Sequence, residues 1–151
     1  MSSENELIKL YSSRILALAT ELPAPSQLEA PDATVKKRSP LCGSAVTVDI
    51  AIEDGKIVDF AQDVKACALG QAAASVVGKA VLGRSLNELL ATRDALHTML
   101  KSDGPAPQAP FDEMEVLRPA KDFKNRHASI MLSIDAVTEA MQKADQKEGY
   151  A

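Results

Sequence analysis

The chain has 151 residues, with 17 Lys+Arg against 21 Asp+Glu and a net charge of -4. That length suits one domain, spanning 1–151 with a core from about residue 7 to residue 141, able to bury its apolar side chains without disulfide or metal staples. An acidic balance argues against a nucleic-acid or anionic-membrane surface, which would select a basic stripe.

The single basic run, Lys36-Lys37-Arg38, reads as a solvated strand edge that blocks unwanted pairing. No apolar run reaches 18 residues, and Met1-Ser2-Ser3-Glu4-Asn5-Glu6 lacks the basic and apolar regions of a signal peptide. A cytoplasmic protein is therefore expected, with its two cysteines reduced and open to thiol or metal chemistry.

In chain order, Leu7, Leu10, Tyr11, Arg14, Ile15 and Leu18 recur at helical spacing. They predict an amphipathic helix from Leu7 to Ala19, ended by Leu22-Pro23-Ala24-Pro25. Ala33 to Arg38 is a short edge-strand candidate. From Ala45 to Ile52 the alternation is clean, with Val46, Val48, Ile50 and Ile52 on one face and Ala45, Thr47, Asp49 and Ala51 on the other. Glu53-Asp54-Gly55-Lys56 reads as a hairpin turn, and Ile57 to Asp63 as the returning strand.

Past Cys67 the period changes to 3.6, with Leu69, Ala72, Val76 and Ala80 on one side and Gly83 where the helix should stop. Ser85-Leu86-Asn87-Glu88 is a capping box that starts another helix, carrying Leu86, Leu89, Leu90, Leu96 and Leu100 toward the core. The Pro-rich stretch from Ser102 to Pro110 is a surface excursion. A last helix begins near Arg126-His127 and is marked by Ile130, Ile134, Val137 and Met141. Strands first and helices afterward predict an α+β fold, a small antiparallel three-stranded sheet covered by helices.

The cysteines occupy loops that bracket the sheet: Ser39-Pro40-Leu41-Cys42-Gly43-Ser44 before it and Val64-Lys65-Ala66-Cys67-Ala68-Leu69-Gly70 after it. They read as a paired thiolate site. Cys67 stands at a helix start, where amide N–H groups and the helix dipole favour a thiolate, although a lone cysteine is also a common small core residue. Cys42 is presented by a Pro/Gly turn. His97 falls in register with Arg93 and Lys101 opposite the Leu face and reads as solvated, whereas His127 heads the last helix. Cys42, Cys67 and His127 make an S,S,N set suited to zinc or an iron–sulfur cluster, with one position open. Their spacing is not that of a zinc finger.

Pro40-Leu41-Cys42-Gly43, the Glu53-Asp54-Gly55-Lys56-Ile57 hairpin, the run from Cys67 to Ser75 and Gly83-Arg84-Ser85-Leu86 occur in an order that resembles the IscU/NifU/SufU iron–sulfur cluster assembly scaffolds. The family pattern is P-x-C-G-D, a D-G-K-I-type hairpin, G-C-x-x-x-x-A-S-x-S and a helix ending in G-K-S-L. Two departures stand out. The Asp after C-G is Ser44, and the cysteine that opens the last helix has no counterpart. Alignment with the family's K-C-A-T-L places His127 on that cysteine, and alignment with H-C-S-M-L places Ala128 there; the first register keeps Ile130 and Ile134 on the apolar positions. Leu117-Arg118-Pro119-Ala120-Lys121 only faintly echoes the family's chaperone motif L-P-P-V-K.

The resemblance implies a scaffold rather than a catalyst of turnover. It would take sulfur from a cysteine desulfurase, build a cluster of the 2Fe-2S type and pass it to recipient proteins. Its ligands would be Cys42, Cys67 and His127, with Ser44 as candidate fourth, and self-association is left open. Two other classes compete: a zinc-binding accessory or regulatory partner of the desulfurase system, and an enzyme using Cys67 as a sulfur-transfer nucleophile.

Overall fold

The computed structural model describes residues 12–40 and 43–149, with side-chain burial resolved as far as Asp145. Among the described residues, helix α1 (Ser13–Glu21) precedes three strands, β1 (Ala33–Arg38), β2 (Ala45–Glu53) and β3 (Lys56–Lys65). Helices α2 (Ala68–Ala80) and α3 (Leu86–Ser102) follow, then a 3-10 segment (Asp112–Asp122) and the long helix α4 (Lys124–Gly149).

The strands form one antiparallel sheet in the order β1-β2-β3, as expected for the α+β class. Register follows the alternation in β2. Val46, Val48, Ile50 and Ile52 are buried beneath α4, and Val48 lies opposite Val35 of β1. Asp54 and Gly55 both have positive φ, 53° and 75°, the backbone of a two-residue type I′ hairpin whose twist suits the flanking strands. Here Asp-Gly sets the register, because Glu53 and Lys56 pair directly across the turn.

Asp49, on the face of β2 opposite the Val/Ile row, is also inside. Asp49 is buried because its carboxylate accepts hydrogen bonds from Leu28 N (3.0 Å) and Thr34 Oγ1 (2.7 Å). The loop after α1 therefore covers that part of the sheet, and the lost hydration of the carboxylate is replaced by two donors.

Helix α2 is the packing centre. Leu69, Gly70, Ala72, Ala73, Ala74, Val76 and Val77 are all buried, so small residues let α1, α4 and β3 approach it on different sides. Gln62 of β3 donates from Nε2 to Ala74 O (3.0 Å) and accepts from Ser133 Oγ (3.1 Å), tying sheet, α2 and α4 through one satisfied buried amide.

The expected N-terminal helix appears as α1, which runs to Glu21 and buries Ile15 and Leu18; residues 7–11 lie outside the described residues. Of the Leu set on α3, Leu89, Leu96 and Leu100 are buried, while Leu86 and Leu90 are half-buried. The last helix starts at Lys124, slightly earlier than expected. The 3-10 segment was not anticipated, since Pro119 and its many charges obscure any apolar period. Its anchor is Arg118, which donates to Glu115, Asp103 and Gly104 O, while Lys121 pairs with Asp103 at 3.2 Å. Hydrogen bonds from Arg118 hold both Asp103 and Glu115 below the usual carboxylate range.

Candidate cluster-binding site

Strand register brings the two cysteine-bearing segments to one end of the sheet. Ala45, the first residue of β2, lies opposite Arg38 of β1 and Lys65 of β3. Cys42 precedes Ala45 by three residues and Cys67 follows Lys65 by two. The turn between β1 and β2 is closed by Ser39 N–H donating to Ser44 O (2.8 Å) and Gly43 N–H donating to Ser39 O (3.1 Å). Gly43 takes φ 71°, the left-handed region that glycine enters without steric cost. Cys42 itself lies outside the described residues.

Cys67 is the half-exposed N-cap of α2, and its side chain makes no capping hydrogen bond. Its carbonyl starts the helix by accepting from Gln71 N (2.9 Å), and the Gln71 side chain donates back to Ala66 O (2.9 Å). The sulfur is thus left for other partners beside the positive end of the helix dipole. Its neighbour is Ser129 of α4: Sγ and Oγ are 3.6 Å apart, and the same Oγ lies 3.1 Å from Ser44 Oγ. Gly70 makes this approach of α2 and α4 feasible. A Cβ there would fall 2.6 Å from Ser129 Oγ and 2.7 Å from Ala66 Cβ, inside van der Waals contact.

His127 lies on the first turn of α4, half-buried, with Nε2 2.9 Å from Ala120 O. A carbonyl only accepts, so Nε2 carries the hydrogen, and in the neutral ring the lone pair is on Nδ1. Histidine ligands are commonly oriented by this kind of bond from the second ring nitrogen. His127 bonds to Ala120 and not to Cys67. Two positions along a helix also turn a side chain through about 200°, away from the direction Ser129 takes.

His97 is exposed on α3 and borders a polar cleft with Lys37, Arg93 and Asp135. Among the described residues, no three His, Cys, Asp or Glu side chains are grouped to hold a metal ion.

The structure therefore joins Ser44, Cys67 and Ser129 and places His127 at the head of the adjoining helix. Ser44, a candidate fourth ligand on sequence grounds, is only 4 % exposed and bonded to Ser129. Sequence reasoning missed Ser129 and Gly70. The only signal they carry is small size, which acquires meaning once α2 and α4 are seen to touch.

An α+β domain with a three-stranded antiparallel sheet, a thiol at the sheet-to-helix junction and a second cysteine in the sequence joining β1 to β2 defines the class. The sequence matches the NifU-like N terminal domain family over residues 11–148, and the chain belongs to that family. It is 44% identical to the N-terminal part of a nitrogen-fixing NifU-like protein from Brucella abortus, with a TM-score of 0.91 over 94% of this chain and 99% of that one. It is 28% identical over 110 residues to the iron–sulfur cluster assembly scaffold protein IscU of Streptococcus pyogenes, covering 73% of this chain and 69% of the relative. The protein of that name from Thermotoga maritima is 24% identical over 141 residues, 89% of this chain and 94% of the relative.

Proposed function

We propose that this chain is an iron–sulfur cluster assembly scaffold, holding iron and sulfide at the Cys42/Cys67 end of the sheet and passing the cluster to recipient proteins. The observation that carries this reading is the register that sets Arg38, Ala45 and Lys65 side by side, with Cys42 three residues before Ala45 and Cys67 two residues after Lys65 in the sequence. Family membership and the scaffold names of the two IscU relatives support it.

In this reading Cys42 and Cys67 are thiolate ligands, His127 contributes Nδ1, and the cluster is cargo. Mixed thiolate and imidazole ligation suits iron–sulfur centres and gives a higher potential than thiolate alone. A cluster of the 2Fe-2S type is the expected cargo, and a cysteine desulfurase is the expected sulfur source. Because His127 is turned away from Ser129 and bonded to Ala120 O in this fold, it joins the cluster only when the first turn of α4 swings its ring toward Cys67, and His127→Ala should then weaken metal binding roughly 10-fold or more.

The test is anaerobic loading with iron and sulfide, followed by incubation with an apo-ferredoxin and a chelator in solution. A scaffold forms a coloured cluster and delivers it faster than free iron and sulfide do. A protein that binds only zinc and forms no cluster would instead be an accessory metal protein.

A further inference from the structure

We infer that Ser44 and Ser129 form a buried two-hydroxyl relay ending on Cys67 Sγ, making Ser129 a positioning residue for the cluster thiolate and Ser44 a donor to Ser129, not a ligand. The inference rests on the scaffold reading for its cargo. The three side chains themselves are placed independently of it.

Ser129 is 2 % exposed and Ser44 4 %, so water supplies little of their hydrogen bonding. Ser129 Oγ stands between Ser44 Oγ at 3.1 Å and Cys67 Sγ at 3.6 Å. Each hydroxyl has one hydrogen and two acceptor sites, and a metal-bound thiolate has none to give. Once Cys67 is a thiolate ligand, Ser129 must donate to the sulfur, and Ser44 must donate to Ser129. The polarity of the whole relay is then fixed, and each bond polarises the next. Hydrogen bonds to cluster sulfurs tune reduction potential, so the relay acts on the loaded site as well as on the empty fold.

Two features show that this contact is built in. Gly70 removes the side chain that would displace Ser129, and the backbone bond from Ser39 N–H to Ser44 O fixes Ser44 at the base of the Cys42 turn. Ser129 thus connects the Cys42 segment, Cys67 and α4 through one oxygen. Ligation by Ser44 Oγ would take away the hydrogen it donates to Ser129 and require exposing a hydroxyl that is only 4 % exposed.

The test uses Ser129→Ala and Ser44→Ala, each checked for native circular dichroism and melting. In the metal-free protein carrying Cys42→Ser, Cys67 is the sole thiol. Its infrared S–H band should shift when Ser129→Ala is added, and an unmoved band would overturn the relay. In loaded protein, the Fe–S resonance Raman bands should shift between H2O and D2O in the parent and lose most of that shift in Ser129→Ala. Chelator should strip Ser129→Ala about 10-fold faster, a usual effect of removing a ligand's hydrogen-bond partner. Ser44→Ala should have a smaller effect that vanishes in the Ser129→Ala background. Equal isotope shifts and lifetimes, or loss of cluster capacity in Ser44→Ala alone, would refute the assignment. A chain that loads no cluster would sink the scaffold reading, while the infrared band would still decide the relay.

Discussion

Helices α2 and α3 start within twenty residues of one another in quite different ways. At α3, Ser85 Oγ accepts from Glu88 N (3.3 Å) and Glu88 accepts from Ser85 N (3.1 Å), so the orphan donors of the first turn are served by the helix's own side chains. At α2, Cys67 holds the same N-cap position with no side-chain capping bond, and its sulfur turns toward Ser129. One start spends its cap residue on stability. The other leaves it for chemistry, and the helix holds because nine of its residues are buried. A missing cap matters here because a thiol stands in its place and a buried hydroxyl faces it.

The contrast can be broken hardest at Gly70. Gly70→Ala drives a Cβ into Ser129 Oγ and Ala66 Cβ, so it should cost about 1–3 kcal/mol, as overpacking usually does. Denaturant midpoints would register this, and an unchanged midpoint would mean that α2 and α4 are less closely packed than the distances say.

Ser85→Ala comes next, at about 1 kcal/mol, with cluster loading unchanged. Cys67→Ser should have the reverse profile, a near-native melting temperature with loading lost, since the thiol makes no cap bond to lose. A pH dependence enters the capping box through Glu88, whose carboxylate accepts from the Ser85 backbone N–H. The backbone hydrogen bond from Ser85 is the first cause that lowers the Glu88 pKa below 4.5, with Arg84 adding to it. A depressed carboxyl stabilises the fold above its unfolded pKa and loses that contribution as pH falls through the folded value. The gap between wild type and Glu88→Gln should therefore narrow below about pH 4.5. Glu88 is exposed, so screening keeps this change small.

The smallest effect belongs to Asp135, in the cleft between α3, α4 and β1. Burial raises its pKa above 3.8, and Lys37, Arg93 and His97 only partly offset that. The folded state then keeps a proton that the unfolded chain releases, so stability falls as pH rises from 3.8 through the folded value. Asp135→Asn should stabilise the protein at pH 7, within about 0.5 kcal/mol after screening by solvent. Below the unfolded pKa the two melting curves should coincide.

What the sequence revealed followed from local rules. Period-2 alternation marked β2, Asp54-Gly55 marked the hairpin, and Ser85 with Glu88 marked the start of α3, because each depends on neighbours along the chain. The placement of Cys67 at a helix start was legible for the same reason. Burial of Asp49 was not, since its donors come from Leu28 and Thr34. Nor was the contact of Ser44 with Ser129, 85 residues apart, which exists only when β2 and α4 are packed. The 3-10 segment was hidden because Arg118 and Lys121 hold it to Asp103 by charge, a pattern without an apolar period.

The central claim is tested most directly by counting iron and sulfide per chain after anaerobic loading of wild type, Cys42→Ser, Cys67→Ser and Ser85→Ala, with the melting temperature of each recorded alongside. The account predicts stoichiometric loading in wild type and Ser85→Ala, and loss of most of the iron and sulfide in both cysteine variants while they stay folded. Full loading of either folded cysteine variant would contradict it.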